Sequence, residues 1–181
     1  PTHVDAIHSL AFRNRQHLLL VAGFWSAIPL DYMLRAFGMK DLREPGVQRL
    51  PAPSPDHPLS GALAVRSARL NCLSSAYADL WESEFRFSWL REEWAHPWTG
   101  LHPLNAVEPR WSWSTPLRTE FERRAALVEL DALAAVWMGL PADALIAAYQ
   151  ARLDVLSARE EQMYFDAHGR QRLRDVADAE A

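Results

Sequence analysis

One lysine, one cysteine and seven glycines among 181 residues set the first limits on this chain. With Cys72 alone there is no disulfide framework and no thiolate cluster for zinc or an iron–sulfur centre, and a reducing cytoplasm fits. The scarcity of glycine argues against an all-β architecture built on many tight turns. Long hydrophobic runs are missing too. The apolar stretch Leu18–Leu30 is too short to cross a bilayer, contains Gly23 and Pro29, and runs into Asp31. It reads as a buried helix. There is no basic segment followed by an apolar stretch and a small-residue cleavage site. The expectation is a soluble, cytoplasmic chain with no membrane association. Lys40 is the single lysine, so the other eighteen basic residues are arginine. Together with heavy use of Ala, Leu and Pro, this reads as GC-rich bacterial codon usage rather than as phosphate binding.

What is present supports a folded domain. Hydrophobic residues make up 49% of the chain, too many for a disordered one, and the length suits one well-buried domain. The net charge of −4 does not advertise a polyanion-binding protein, but it is uneven. Residues 1–50 carry six basic side chains (Arg13, Arg15, Arg35, Lys40, Arg43, Arg49) against four acidic ones (Asp5, Asp31, Asp41, Glu44). Any nucleic-acid contact is therefore expected in that N-terminal third.

The spacing predicts a mainly α fold: a bundle of about five helices with long Pro- and Trp-rich connecting loops, and one or two short strands near the N-terminus, where Val4, Ala6 and Ile7 fit a strand. Gln16 to about Phe37 reads as a central apolar helix that Pro29 kinks or splits, with Gly38 as its cap. Ser60–Phe85 reads as a second helix. Thr115-Pro116 predicts the start of a third, ended by Gly139, and Pro141 opens a fourth reaching about Leu156. Tyr164–Gly169 predicts a short packed turn. The organisation expected is 1–58, a segment with the buried apolar helix; 59–156, a helical scaffold; and 157–181, a charged tail.

The chain lacks the usual carriers of chemistry. No Gly-rich loop follows a strand, so no nucleotide or S-adenosylmethionine cradle is legible. His3 and His8, or His96 and His102, lack helix-face metal spacing with a third ligand. Glu82/Glu84 and Glu92/Glu93 are spaced for acid–base pairing, but Arg86 and Arg91 at helical spacing favour a solvated charged face. The cluster of Trp81, Trp89, Trp94, Trp98, Trp111 and Trp113 fits two roles. One is a stacking platform for bases or sugars. The favoured one is a set of large side chains sealing a loop against helices, each indole donor finding a carbonyl. No catalytic, cofactor-binding or metal-ligating residue is expected.

Leu30-Asp31-Tyr32-Met33-Leu34-Arg35 through Gln48-Arg49-Leu50-Pro51-Ala52-Pro53 resembles the segment that closes the specificity region of large adenine-specific DNA methyltransferases of restriction–modification and phage-defence systems (type IIG-like). In that family an apolar helix with a Phe/Leu-Asp-Tyr motif leads through a polar Gly-containing stretch to a Leu-Pro-x-Pro exit. Arg123-Arg124 … Glu129-Leu130-Asp131-Ala132-Leu133, followed by Gly139-Leu140-Pro141, is similar to the family's late helix. Arg69-Leu70-Asn71-Cys72-Leu73 and Tyr77-Ala78-Asp79-Leu80-Trp81 fit between them, so the resemblance spans roughly residues 10–150. One difference is Gly38-Met39-Lys40-Asp41, where the family often has Gly-Gly-Thr-like residues. The resemblance implies a noncatalytic C-terminal DNA-recognition and scaffold region. The S-adenosylmethionine-binding methyltransferase domain would lie upstream, double-stranded DNA would be a partner, and defence-system subunits could be others. Arg35, Lys40, Arg43 and Arg49 are the candidate phosphate or groove contacts, and Gln48 a candidate base reader. The alternative is a helical protein–protein interaction module that touches no DNA. A free-standing small enzyme fits least.

Overall fold

Pro29 decides the path of the first apolar segment. In the computed structural model, which describes residues 10–38, 44–151 and 154–174, the segment splits into α1 (Arg15–Trp25) and α2 (Ile28–Ala36), bent by 71°. Asn14 caps α1, its side chain accepting from the N–H groups of Gln16 and His17. Ala27 is extended, and Pro29 sits in the first turn of α2, where its missing N–H costs nothing. No single described helix is long and apolar enough to cross a membrane. The bent pair passes on length and composition alone, yet Leu19, Leu20, Phe24 and Leu30 are all core residues.

After a single turn, α3 (Glu44–Val47), the chain reaches α4 (Ser60–Asn71), the centre of the molecule. Leu63 to Leu70 is an unbroken buried run that includes Arg66, Ser67 and Arg69. Helix α1 crosses α4 at Gly23. A Cβ built there would lie 2.8 Å from Ser67 Cβ, and the Ser67 hydroxyl donates to Leu19 O at 2.7 Å. The missing side chain is what permits this close crossing.

The helix expected over Ser60–Phe85 does not run through. It stops at Asn71; a 3₁₀ turn (Ser75–Tyr77) and α5 (Ala78–Glu84) follow, with a second 3₁₀ turn at Phe87–Arg91. The cause is tertiary. The Asn71 amide turns back onto Ser67 O at 2.8 Å, and the carbonyls of Leu70, Cys72 and Leu73 are taken by Arg123, Trp111 and Arg118. Helical periodicity beyond residue 71 is outbid by these donors.

The predicted helix start at Thr115-Pro116 also moves. Helix α6 is Glu120–Trp137, capped by Thr119 in a reciprocal capping box with Glu122. Thr115 and Pro116 are buried in the preceding turn, and the Leu117 N–H bonds to Arg69 O at 3.0 Å. At the other end Gly139 (φ 69°) forms the expected stop, with Leu140 N–H on Ala135 O and Gly139 N–H on Val136 O. Helix α7 (Ala142–Gln150) begins after Pro141, and α8 (Asp154–Glu161) follows.

The segment expected to be a charged tail holds an antiparallel hairpin, β1 (Met163–Phe165) with β2 (Gln171–Leu173), paired Met163 to Leu173. The predicted turn at Tyr164–Gly169 is its connection. Gly169 O accepts from Phe121 N–H at 3.0 Å, and the Phe121 and Phe165 rings lie 5.2 Å apart, docking the hairpin on the start of α6. The strand expected near Val4–Ile7 lies outside the described residues. The fold is thus mainly helical with a short two-stranded sheet. One hydrophobic cluster runs through it, from Leu19, Phe24 and Leu30 across Leu63, Val65 and Trp81 to Leu117 and Leu130. It crosses the division expected at residue 58.

Two predictions follow from this packing. Gly23→Ala gains about 1 kcal/mol of helix propensity but drives a methyl into Ser67 and Leu63, at a cost of about 1–3 kcal/mol for an overpacked core. The expected net is a lower urea midpoint, whereas an unchanged or raised one would mean that α1 and α4 separate easily. Burial pushes the Cys72 thiol up to about 11, so at pH 8 it should resist alkylation until denaturant is added.

Candidate nucleic-acid interface

Of the five residues proposed from sequence to meet DNA, Arg35, Gln48 and Arg49 lie among the described residues, whereas Lys40 and Arg43 lie outside them. Arg35, in the last turn of α2, is committed inward. Its guanidinium pairs with Asp31 one turn back at 2.9 Å and donates to Ala151 O at 3.0 Å, tying α2 to the end of α7. Arg49 follows α3, is exposed, and its side chain makes no hydrogen bond or ion pair with a described residue. Gln48 is exposed beside it. The pair sits immediately before buried Leu50, and Pro51 O accepts from the Trp25 indole at 3.0 Å. The two polar side chains thus stand on an anchored turn.

Most other arginines near the core serve the fold. Arg66 is 4% exposed; its Nε meets Glu129 at 2.6 Å, one terminal nitrogen meets Glu92 at 3.2 Å, and it also donates to Ala62 O and Glu93 O. Glu92 therefore answers an arginine on α4, rather than Arg86 or Arg91 as its spacing implied, and Glu82 accepts from Trp111 N–H, while Glu84 does pair with Arg86 at 3.5 Å. These carboxylates are structural acceptors. Arg69 donates to the carbonyls of Thr115, Pro103 and Leu104. Burial lowers its pKa to about 10, opposed by the nearby Glu122 charge, so it stays protonated at neutral pH.

The tryptophans take the structural role the sequence favoured. The indoles of Trp81 and Trp111 donate to Glu108 O and Cys72 O, joining the 92–118 loop to α5 and the end of α4, while the Trp94 indole donates to His102 O within the loop. Trp89 is buried against Trp81 and Phe85, and its indole nitrogen has no partner. Trp98 and Trp113 are the exposed members, and the Arg118 guanidinium lies 5.0 Å from the Trp113 ring centre.

A cavity of about 740 Å³ opens between the 99–102 loop, the start of α6 and the hairpin turn. Glu122 lies under it, nearly buried. It accepts from the N–H groups of Arg118 and Thr119, from the Thr119 hydroxyl, and meets His102 Nδ1 at 2.7 Å. Burial raises the pKa of Glu122, but these hydrogen bonds outweigh it and hold the carboxyl below its usual 4.5. Asp166, ringed by the N–H groups of His168 and Arg170 and by the Arg170 side chain, is held far below the usual carboxylate range. The sequence pointed to neither group, because each is assembled from a turn and a cap. The Thr119 hydroxyl in the lining donates to Glu122 and accepts from the Glu122 N–H, and the charged groups around it organise the α6 cap and the hairpin. Among the described residues no group of three or more His, Cys, Asp or Glu is placed to hold a metal ion.

Comparison of the chain with protein-family models, with curated proteins and with solved structures finds no match.

The acid response of the α6 cap is testable. The folded-state pKa of Glu122 is depressed, so its stabilisation is complete above about pH 4.5 and lost as pH falls through the folded value. Glu122→Gln should therefore be less stable than wild type at pH 7, by about 1–3 kcal/mol for a disrupted buried hydrogen-bond set. That gap should close in acid, read from denaturant midpoints between pH 7 and pH 3. A gap that stays constant with pH would deny Glu122 this role.

Proposed function

We propose that this chain is the noncatalytic C-terminal recognition and scaffold region of a bacterial adenine-specific DNA methyltransferase of a restriction–modification or phage-defence system. The observation that carries the reading is the hydrogen bond from Ile28 N–H to Asp131 Oδ1, at 2.8 Å across 103 residues of sequence. It joins the start of the Leu-Asp-Tyr helix to the Glu-Leu-Asp-Ala-Leu segment of α6. Those are the two stretches whose resemblance to that family was read separately. A recognition segment needs such a brace, because phosphate and base contacts are useful only when held in register. In this reading α6 and α7 support α2, and the exposed turn with Gln48 and Arg49 faces DNA. Methyl transfer belongs to an upstream domain that binds S-adenosylmethionine.

A second reading, a module that docks partner subunits without touching DNA, is favoured by Val136 and Ile146, which are 65% and 56% exposed at the end of α6 and on α7.

The native reading frame that contains the chain, and its full-length product, test the choice. The expectation is an upstream S-adenosylmethionine fold with an Asn-Pro-Pro-aromatic box, adenine methylation of duplex DNA, and affinity that falls steeply with salt. Arg49→Ala should reduce the slope of log K against log salt by about 0.9, the loss of one phosphate contact. A frame that opens at a Met directly before Pro1, with binding to protein partners that salt barely affects, would overturn the first reading in favour of the second.

A further inference from the structure

The sequence placed the basic surface in the first third of the chain. The structure gathers another from α6 and α8. A cleft of about 420 Å³ runs between α6, α8 and the edge of the hairpin, lined by Arg123, Arg124 and Arg159 together with Glu120, Glu160 and Gln171. The two carboxylates are already engaged. Glu120 accepts from the Gln171 backbone N–H, while Glu160 accepts from the Tyr149 hydroxyl and pairs with Arg124 at 3.1 Å. Arg123 is held by a bond from one terminal nitrogen to Leu70 O at 3.0 Å. Arg159 is exposed and makes no hydrogen bond or ion pair with any described residue. The cleft thus has three guanidinium groups, one paired with Glu160, one held by a backbone carbonyl and one without an ion pair to any described residue, in a chain whose net charge is −4.

We infer that this cleft binds a phosphate group. Guanidinium forks match phosphate oxygens in paired hydrogen bonds, and pre-fixed donors lose little entropy on binding. The Leu127 and Met163 side chains in the lining add apolar contact beside the charges. Resting on the methyltransferase reading, the phosphates are those of the DNA backbone. The cleft then supplies contacts from the scaffold side that fix the register of the duplex while the Gln48–Arg49 turn lies elsewhere. Inorganic phosphate shares the same chemistry, and the test separates the two sources.

Arg159 is the position to change, because it is exposed and supports no other described residue. The full-length product is compared with Arg159→Ala and Arg159→Glu in duplex-DNA titrations across salt, and in thermal melts with and without inorganic phosphate. The expected result is a salt slope smaller by about 0.9 for Arg159→Ala, a larger loss of affinity for Arg159→Glu, and unchanged melting of both without ligand. If DNA binds with steep salt dependence and both variants match wild type, the cleft inference falls while the recognition reading stands. If DNA does not bind but phosphate raises the melting temperature of wild type and not of Arg159→Glu, the phosphate site stands and the recognition reading falls. If neither ligand distinguishes wild type from Arg159→Glu, and DNA is not bound, the cleft inference is overturned.

Discussion

The structure depends on how α4 ends. A helix leaves its last carbonyls without intrahelical donors, and in a buried helix each costs about 1–3 kcal/mol if left bare. Here Arg69 O takes the Leu117 N–H, Leu70 O takes Arg123, Cys72 O takes the Trp111 indole, and Leu73 O takes Arg118. The donors come from the 92–118 loop and from the start of α6. Satisfying one helix end therefore fixes the loop, sets where α6 can begin, and turns the chain into α5. Arg69 adds the reverse bond, donating from α4 to three loop carbonyls. The loop has little secondary structure of its own. It is ordered because its backbone and that of α4 satisfy each other.

The same arrangement explains what the arginines are for. A guanidinium can donate up to five hydrogen bonds and remains charged when buried, which suits it to gathering carbonyls around a helix. Arg66, Arg69, Arg118 and Arg123 do this in whole or part, and Arg35 does it for the end of α7. Counting arginines in the sequence thus overstates the surface open to an anion. What matters is which side chains are exposed and without an ion pair to a described residue, as Arg49 and Arg159 are while buried Arg66 is not.

Much of the fold was legible where the signal is local. Pro29 splits its helix, Gly139 in the left-handed region stops α6, and the indole nitrogens seek carbonyls, all as their residue types dictate. The failures share one cause. Thr115-Pro116 carries a good helix start, but Thr119 with Glu122 three residues on carries a reciprocal one, and that is where α6 begins. Likewise, apolar spacing continues past Asn71, yet the carbonyls around that point are bonded by residues 39 to 53 positions away. The candidate site was legible only in part for the same reason. Arg35 has Asp31 one turn back in the sequence, but its bond to Ala151 O, which makes it a brace, is legible only in the fold.

These constraints bear on how the scaffold could serve recognition. Helix α2 is tethered at its first turn by Asp131 of α6 and at its last by Ala151 after α7. It cannot tilt without breaking one of those bonds, and a bond involving a charged group is worth about 1.5–3 kcal/mol. The turn bearing Gln48 and Arg49 is in turn pinned through Leu50 and the Trp25–Pro51 bond. A segment held so firmly suits a task in which position matters more than adaptability. The acidic excess beyond residue 50 works in the same direction. An anion is repelled from most of that surface and meets favourable charge chiefly where a guanidinium group such as that of Arg159 stands without an ion pair to a described residue.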